Sequence, residues 1–233
     1  MGAEDTGIFK KYSTLRPSID KARATFLAGQ FDAAQVGLAE CLKKVPDHFE
    51  AHFLLSQIGY AEKNFTKALE HIEVAEQSLA KLEAINQRQI ENMKHSNDEL
   101  RRTLQASLDE IDARTGGAYG CGGNDVGEMR STLSSLDREG SLLQTDGLLT
   151  IPANYHFVHG NCLFQLGRHA EARQQYLAAT KADPAYAEAW SNLINLMFIE
   201  KDFIAATRTL NQVEVLGIKI NPKLKQAVLE AKP

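Results

Sequence analysis

Seven histidines and three cysteines are the side chains with which this chain could hold a metal or do nucleophilic chemistry, and their spacing decides between those uses. His48 and His52 stand four apart and His156 and His159 three apart, separations that bring two side chains onto one face of a helix. A zinc site needs three or four ligands, and in the sequence no carboxylate or third ligand accompanies either pair at matching spacing. Packing or partial exposure is the expected fate of these rings. Cys41, Cys121 and Cys162 lie far apart with no Cys-x-x-Cys spacing, which opposes a disulfide framework and a zinc site and fits a reducing compartment. The run GGAYGCGGNDVG, residues 116–127, offers backbone amides to a phosphate, but it lacks the Gly-Lys-Ser/Thr ending of a P-loop, and a flexible tip explains its glycines equally well. Cys121 in that run has no adjacent histidine or lysine to activate it, so an inert exposed thiol is expected. Catalysis needs a nucleophile or base held beside an orienting group, and none is announced. The expectation is a protein that is not an enzyme, with no cofactor and no metal.

The elements that carry these residues are set by a period. Counting 34 residues from Ala34 lands on Ala68, and 34 from Ala172 lands on Ala206. Each alanine is followed four places later by Leu38, Ile72, Tyr176 or Leu210. Ala68 and Ala172 are 104 apart, one period plus 70 residues, so the array has been opened by an insertion. Units begin near Leu15, Phe49, Ala153 and Ala187. Each has two apolar-periodic stretches split by a polar turn, at Gly29-Gln30, Lys63-Asn64, Gly167-Arg168 and Lys201-Asp202, which spells helix, tight turn, helix. The alanines let the two helices of a unit approach, and the larger residue one turn later fills the groove between them. Cys41 falls in phase with Ala75, Ala179 and Val213 as a small apolar filler, and Cys162 is likewise expected to be buried.

This outline resembles the tetratricopeptide repeat family, whose pattern is W-x2-L-G-x2-Y, then A-x3-F, then P. Gly160, Leu163, Ala172, Tyr176 and Pro184 carry it in the third unit, and Trp190, Leu193, Ala206 and Leu210 in the fourth. The second unit offers Leu55, Ala68 and Ile72, and the first Ala22, Ala34, Leu38 and Pro46. His52 and His156 stand where tryptophan is usual, and Ile194 replaces the glycine. The resemblance implies an all-α solenoid of four helix pairs with a C-terminal capping helix and an inserted helical hairpin. The expected divisions are an N-terminal segment 1–14, repeats 1 and 2 over 15–82, the insertion over 83–152, repeats 3 and 4 over 153–220, and the cap over 221–233.

Ala80 takes the place of the second unit's closing proline, so nothing there stops the helix, which is expected to run on into the insertion. From Asn86 an apolar seam steps by four and three through Ile90, Met93, Asn97, Leu100, Leu104, Ser107 and Ile111. Val126, Met129, Leu133, Leu136, Gly140 and Leu143 form a second seam, and the two stretches are expected to pair as an antiparallel hairpin. Ser96 with Glu99 makes a capping pattern, leaving open whether the long helix breaks there.

The chain's net charge is −4, and residues 83–152 hold seven Arg/Lys against twelve Asp/Glu, so the repeats are near neutral and carry no basic stripe. Nucleic-acid binding, which needs concentrated cationic charge, is disfavoured. No apolar run is long enough to span a bilayer, and the expected location is cytoplasmic, with no membrane partner. In the family the first helix of each unit lines a concave surface. By phase that surface holds Arg23, Gln57, Asn161 and Asn195 at the ninth place, Phe53 and Phe157 at the fifth, and Phe26, Tyr60, Phe164 and Phe198 at the twelfth. Asn192 stands at the sixth place of the last unit. Amides can donate to and accept from an extended backbone, and aromatics supply apolar contact, though these rings could equally pack between helices. Some members of the family clamp the C-terminal carboxylate of chaperone tails. Asn161 and Asn192 are similar to that clamp, but Phe157 stands where its first lysine would be. The expected function is a non-catalytic scaffold that binds a protein or peptide in this groove. The alternatives are a homo-oligomerisation module working through the insertion, or a regulatory subunit of an enzyme system.

Overall fold

Backbone conformation at one phase of the repeat closes every helix pair. The computed structural model describes residues 3–115, 123–142 and 150–231, so Cys121, most of the glycine-rich run and Leu143 lie outside the described residues. Its helices are α1 (Ala3–Leu27), α2 (Phe31–Lys44), α3 (Phe49–Ala61), α4 (Phe65–Thr115), α5 (Gly123–Leu142), α6 (Ala153–Gln165), α7 (His169–Ala182), α8 (Ala187–Ile199), α9 (Phe203–Val215) and α10 (Pro222–Glu230), and among the described residues there is no strand. None of these helices is long and apolar enough to cross a membrane.

Between the two helices of each pair stands one left-handed residue, with φ of +75° at Gly29, +60° at Lys63, +74° at Gly167 and +61° at Lys201. The amide after it turns back to a carbonyl five residues earlier: Gln30 to Thr25, Asn64 to Gly59, Arg168 to Leu163 and Asp202 to Met197. That bond satisfies a carbonyl the helix end would otherwise orphan. Glycine adopts the conformation freely, whereas lysine does so at a cost of about 1 kcal/mol.

The phased alanines, Ala34, Ala68, Ala172 and Ala206, are all fully buried, and Leu38, Ile72, Tyr176 and Leu210 beside them are inaccessible to solvent or nearly so. Cys41 and Cys162 are buried free thiols, and burial pushes the Cys162 thiol up to about 12. At the tryptophan place the hydrogen bond outlasts the residue type. Trp190 Nε1 donates to the Pro184 carbonyl at 2.9 Å, and His52 Nε2 makes the same bond, also at 2.9 Å, to the Pro46 carbonyl, each six residues back. His52 and His156 also meet partners at one offset, His71 at 3.0 Å and Gln175 at 2.9 Å, both 19 residues on.

The chain divides into two units, one formed by 1–80 and 150–233 and the other by 81–149. In the first unit α1 packs on α2 and α3, α2 on α3, α3 on α6, α6 on α7, α7 on α8, α8 on α9, and α10 on both α8 and α9. Thus α6 lies beside α3 as the leading helix of a next repeat would. The segment ahead of Leu15 belongs to α1, anchored where Tyr12 donates to the Asp47 carbonyl at 2.6 Å and stacks on His48 at 4.4 Å. Val228 of α10 is buried against the core, while Leu229 points outward.

In the second unit, α4 passes Ser96 without a break. Its partner seam differs from the expected one, because Met93 and Leu100 are 50% and 45% exposed. At those places the stripe moves one residue on, to Lys94 and Arg101, while Ile90, Asn97, Leu104 and Ile111 of the expected seam stay half-buried. There Arg101 pairs with Asp137 of α5 at 2.5 Å, and further on Leu108 is buried along with Val126 and Leu136. Ser107, which the expected seam would have buried, instead bonds its hydroxyl to the Thr103 carbonyl of its own helix. Shifting by one residue thus seats a leucine where a serine would have been and lets the arginine reach its carboxylate.

Gly160 is the tightest point of the third repeat, since a Cβ there would lie 2.7 Å from Tyr176 Cε1. Gly160→Ala should lose about 1–3 kcal/mol from overpacking, read as a lower urea midpoint. The open helical site Gly127, with nothing within 4 Å of such a Cβ, should gain up to about 1 kcal/mol from the same change.

Candidate functional site

Where α1, α3 and α6 come together, they border an open pocket of about 410 Å³. Its floor comes from one stacking contact, Phe53 of α3 on Tyr155 of α6, with centroids 3.9 Å apart and planes 8° from parallel. Phe26, Leu27, Phe49 and Leu54 add apolar wall, and Arg16, Arg23, Glu50, Gln57 and Asn154 supply the polar part.

The charges beside this pocket are balanced, two of each sign, and the pairs among them are largely exposed. Arg23 Nη2 donates to Glu50 Oε2 at 2.7 Å and lies 3.5 Å from Asp20 through Nη1. Arg16 pairs with Asp20 at 3.6 Å and with Glu50 at 3.9 Å. Gln57, Asn154 and the Tyr155 hydroxyl have no hydrogen-bond partner among the described residues, although Tyr155 is only 5% exposed. Burial pushes the Tyr155 phenol well above its ordinary value, helped by Glu50 and opposed by Arg23, so it stays protonated and able to donate.

A second interaction holds α6 in place. Glu76 of α4, whose side chain is 14% exposed, accepts from His159 Nδ1 at 2.9 Å and lies 3.3 Å from His156 Nδ1. His156 Nδ1 also donates to Gln175 Oε1 at 2.9 Å, and Glu73 stands 4.0 Å from His159 Nε2. Burial alone would raise the Glu76 carboxyl, but the imidazoles of His156 and His159 beside it, the latter hydrogen-bonded, outweigh burial and hold the group below its usual range. Burial would likewise lower the His156 imidazole, and the Glu76 carboxylate with Gln175 reverses this and raises it. Glu76 and His156 therefore each stabilise the other's charged form.

The structure treats the phase-derived groove residues differently. Arg23, Phe53 and Gln57 meet in the pocket. Asn161 Oδ1 is taken by two donors, the Tyr176 hydroxyl at 2.9 Å and Asn192 Nδ2 at 2.8 Å, tying the third repeat to the fourth. Asn195 is half-buried and has no hydrogen bond among the described residues. Phe157 packs edge-on against Tyr186 at 5.1 Å. The twelfth-place rings each rest on the first residue of the following helix: Phe26 on Phe31, Tyr60 on Phe65, Phe164 on His169 and Phe198 on Phe203, at 5.3 to 5.7 Å.

Tyr155, Asn154, Arg16, Glu50 and Glu76 were not singled out by phase. One signal existed, since Tyr155 stands in phase with Ala51 and Ala189, both fully buried, so an aromatic ring there has to find room against a neighbouring repeat. No third ligand was visible beside His156 and His159 because Glu76 lies 80 or more residues earlier, and no group of three or more ligating side chains among the described residues is arranged to hold a metal.

The family model described as "Tetratricopeptide repeat" matches residues 19–81, and one described as "TPR repeat" matches 160–198. No curated protein matches the sequence. Among solved structures, the chain is similar to pilF of Pseudomonas aeruginosa at 14% identity and a TM-score of 0.37, covering 92% of this chain and 81% of that one. It is also similar to TTC0263, a thermophilic TPR protein of Thermus thermophilus, at 15% identity and a TM-score of 0.36, covering 92% and 98%.

The Glu76 cluster makes stability depend on pH in both directions. The depressed Glu76 contributes stability that is present above its ordinary value of 4.5 and lost as pH falls through the folded value. The raised His156 contributes stability that is complete below its ordinary value of 6.5 and lost as pH rises through the folded value. The stability difference between the native chain and Glu76→Gln, followed by urea unfolding from pH 4 to 9, should therefore peak between those two values at about 1–3 kcal/mol. A flat difference across that range would remove the cluster from the account.

Proposed function

Because the chain belongs to the tetratricopeptide-repeat family, we propose that it is a non-catalytic scaffold that binds an extended segment of a partner protein on the face formed by its first helices. The observation that carries this is the pocket between α1, α3 and α6, where neutral hydrogen-bonding side chains stand without partners beside an aromatic floor. An extended backbone presents donors and acceptors alternately, and amide side chains such as Gln57 and Asn195 can answer both. Asn161 and Asn192, bonded to each other, serve this face by fixing its shape. Arg23, Phe53, Tyr60, Phe157, Phe164 and Phe198 contribute apolar or paired surface around the amides. No cofactor enters this reading. The buried free thiols of Cys41 and Cys162 support a reducing, cytoplasmic setting.

One observation favours a second reading. Met93 and Leu100 are apolar side chains on the outer side of the second unit's helix α4, and outward apolar residues of that kind are suited to self-association. Sedimentation velocity over a range of concentrations decides it, since a strict monomer at all of them rules self-association out.

The groove reading is tested by affinity capture from native extract with the intact chain and with the Gln57→Ala/Asn195→Ala double variant, followed by affinity measurement on each captured protein. Loss of two neutral hydrogen bonds should weaken a genuine partner about tenfold without lowering the urea midpoint. Undiminished binding by the double variant would exclude the face.

A further inference from the structure

A binding pocket is selective for what its own groups leave over, and here the charges balance, two of each sign. Arg16 and Arg23 flank Glu50 and Asp20 in a closed set of pairs, the tightest at 2.7 Å. An incoming carboxylate meets Glu50 beside the arginines, and an incoming ammonium meets the guanidinium groups beside Glu50, so neither charge finds a net opposite charge, and screening by solvent weakens what attraction remains. The Phe53–Tyr155 stack offers a flat apolar floor, and the Tyr155 hydroxyl, Gln57 and Asn154 stand around it without partners among the described residues. The Tyr155 hydroxyl is the part of an otherwise buried side chain left open to the pocket, so a ligand group can take the place of water there. The volume, about 410 Å³, lies at the small end of ligand sites and suits one large side chain with its flanking peptide groups.

We propose that this pocket takes one large uncharged apolar side chain, aromatic or leucine-like, from an extended partner peptide, with the peptide groups on either side of it hydrogen-bonded to the Tyr155 hydroxyl, Gln57 and Asn154. The proposal rests on reading the first-helix face as the binding face and adds the chemistry of its anchor residue. Selectivity arises in two ways. The stacked rings reward apolar area, and the balanced charges offer an ionic replacement no net attraction. Binding of this kind is insensitive to salt, unlike capture of an acidic or basic segment by free surface charge.

The test uses the full chain and four small probes, the N-acetyl α-amides of phenylalanine, leucine, aspartate and lysine, titrated while side-chain amide and aromatic NMR signals are followed at low and high salt. The phenylalanine and leucine probes should shift the Gln57 and Asn154 amides and the Tyr155 ring, about tenfold more tightly than the charged probes, and equally at both salt concentrations. Tyr155→Phe keeps the stack and removes the hydroxyl. It should weaken the phenylalanine probe by about threefold to tenfold and leave the urea midpoint unchanged, since the hydroxyl has no partner among the described residues to lose.

Equal or tighter binding of the aspartate or lysine probe, fading with salt, overturns the proposal in favour of an ionic site. Unchanged affinity in Tyr155→Phe overturns the hydroxyl's part in it. If none of the four probes moves the pocket signals while a partner captured by the intact chain still shifts Asn195, the anchor chemistry is wrong and the binding face stands. If that partner moves no signal on α1, α3, α6 or α8, the face itself is wrong.

Discussion

The contact on which the rest depends is the one that seats α6 against α3 and α4. A helical repeat cannot bury its apolar face alone, so the third repeat needs the second as its neighbour even though an insertion separates them in sequence. Two interactions supply that seat: the face-to-face stack of Phe53 on Tyr155, and the Glu76 carboxylate between His156 and His159. The first is apolar and works at any pH. The second is ionic and directional, so it fixes the rotation of α6 as well as its proximity.

The same contact makes the candidate site. Phe53 and Tyr155 cannot form a floor unless their helices are adjacent, and Gln57 and Asn154 face one pocket only because those helices run side by side. Structure and binding therefore share residues. Arg23, which phase placed on the face, is paired with Glu50 and Asp20 within the first two repeats, and the neutral amides and aromatic rings remain beside it.

Much of the fold was legible because it is written in local, repeated signals. A small residue at fixed phase has one efficient use, and all four alanines are fully buried. The turns were legible for the same reason, and the first residue of each polar pair is the one that the structure holds left-handed. The hairpin seam was legible at Ile90, Asn97, Leu104 and Ile111 but one residue off at Met93, Leu100 and Ser107, where Lys94, Arg101 and Leu108 are the less exposed residues and Arg101 reaches Asp137 of α5. The site was half legible. Phase found Arg23, Phe53 and Gln57, but whether an arginine is free or an amide is occupied is decided by partners on other helices, such as Glu50 for Arg23 and Tyr176 with Asn192 for Asn161. Glu76 was invisible because its partners lie 80 or more residues away across the insertion.

The most direct measurement is a double-mutant cycle between Phe53 and Tyr155, each replaced by leucine singly and together, with stability read by urea denaturation. A stacked pair joining the second repeat to the third should show a coupling of about 0.5–1.5 kcal/mol. Additive effects, with no coupling beyond error, would mean that the two rings do not meet, and both the joint and the pocket built on it would fall.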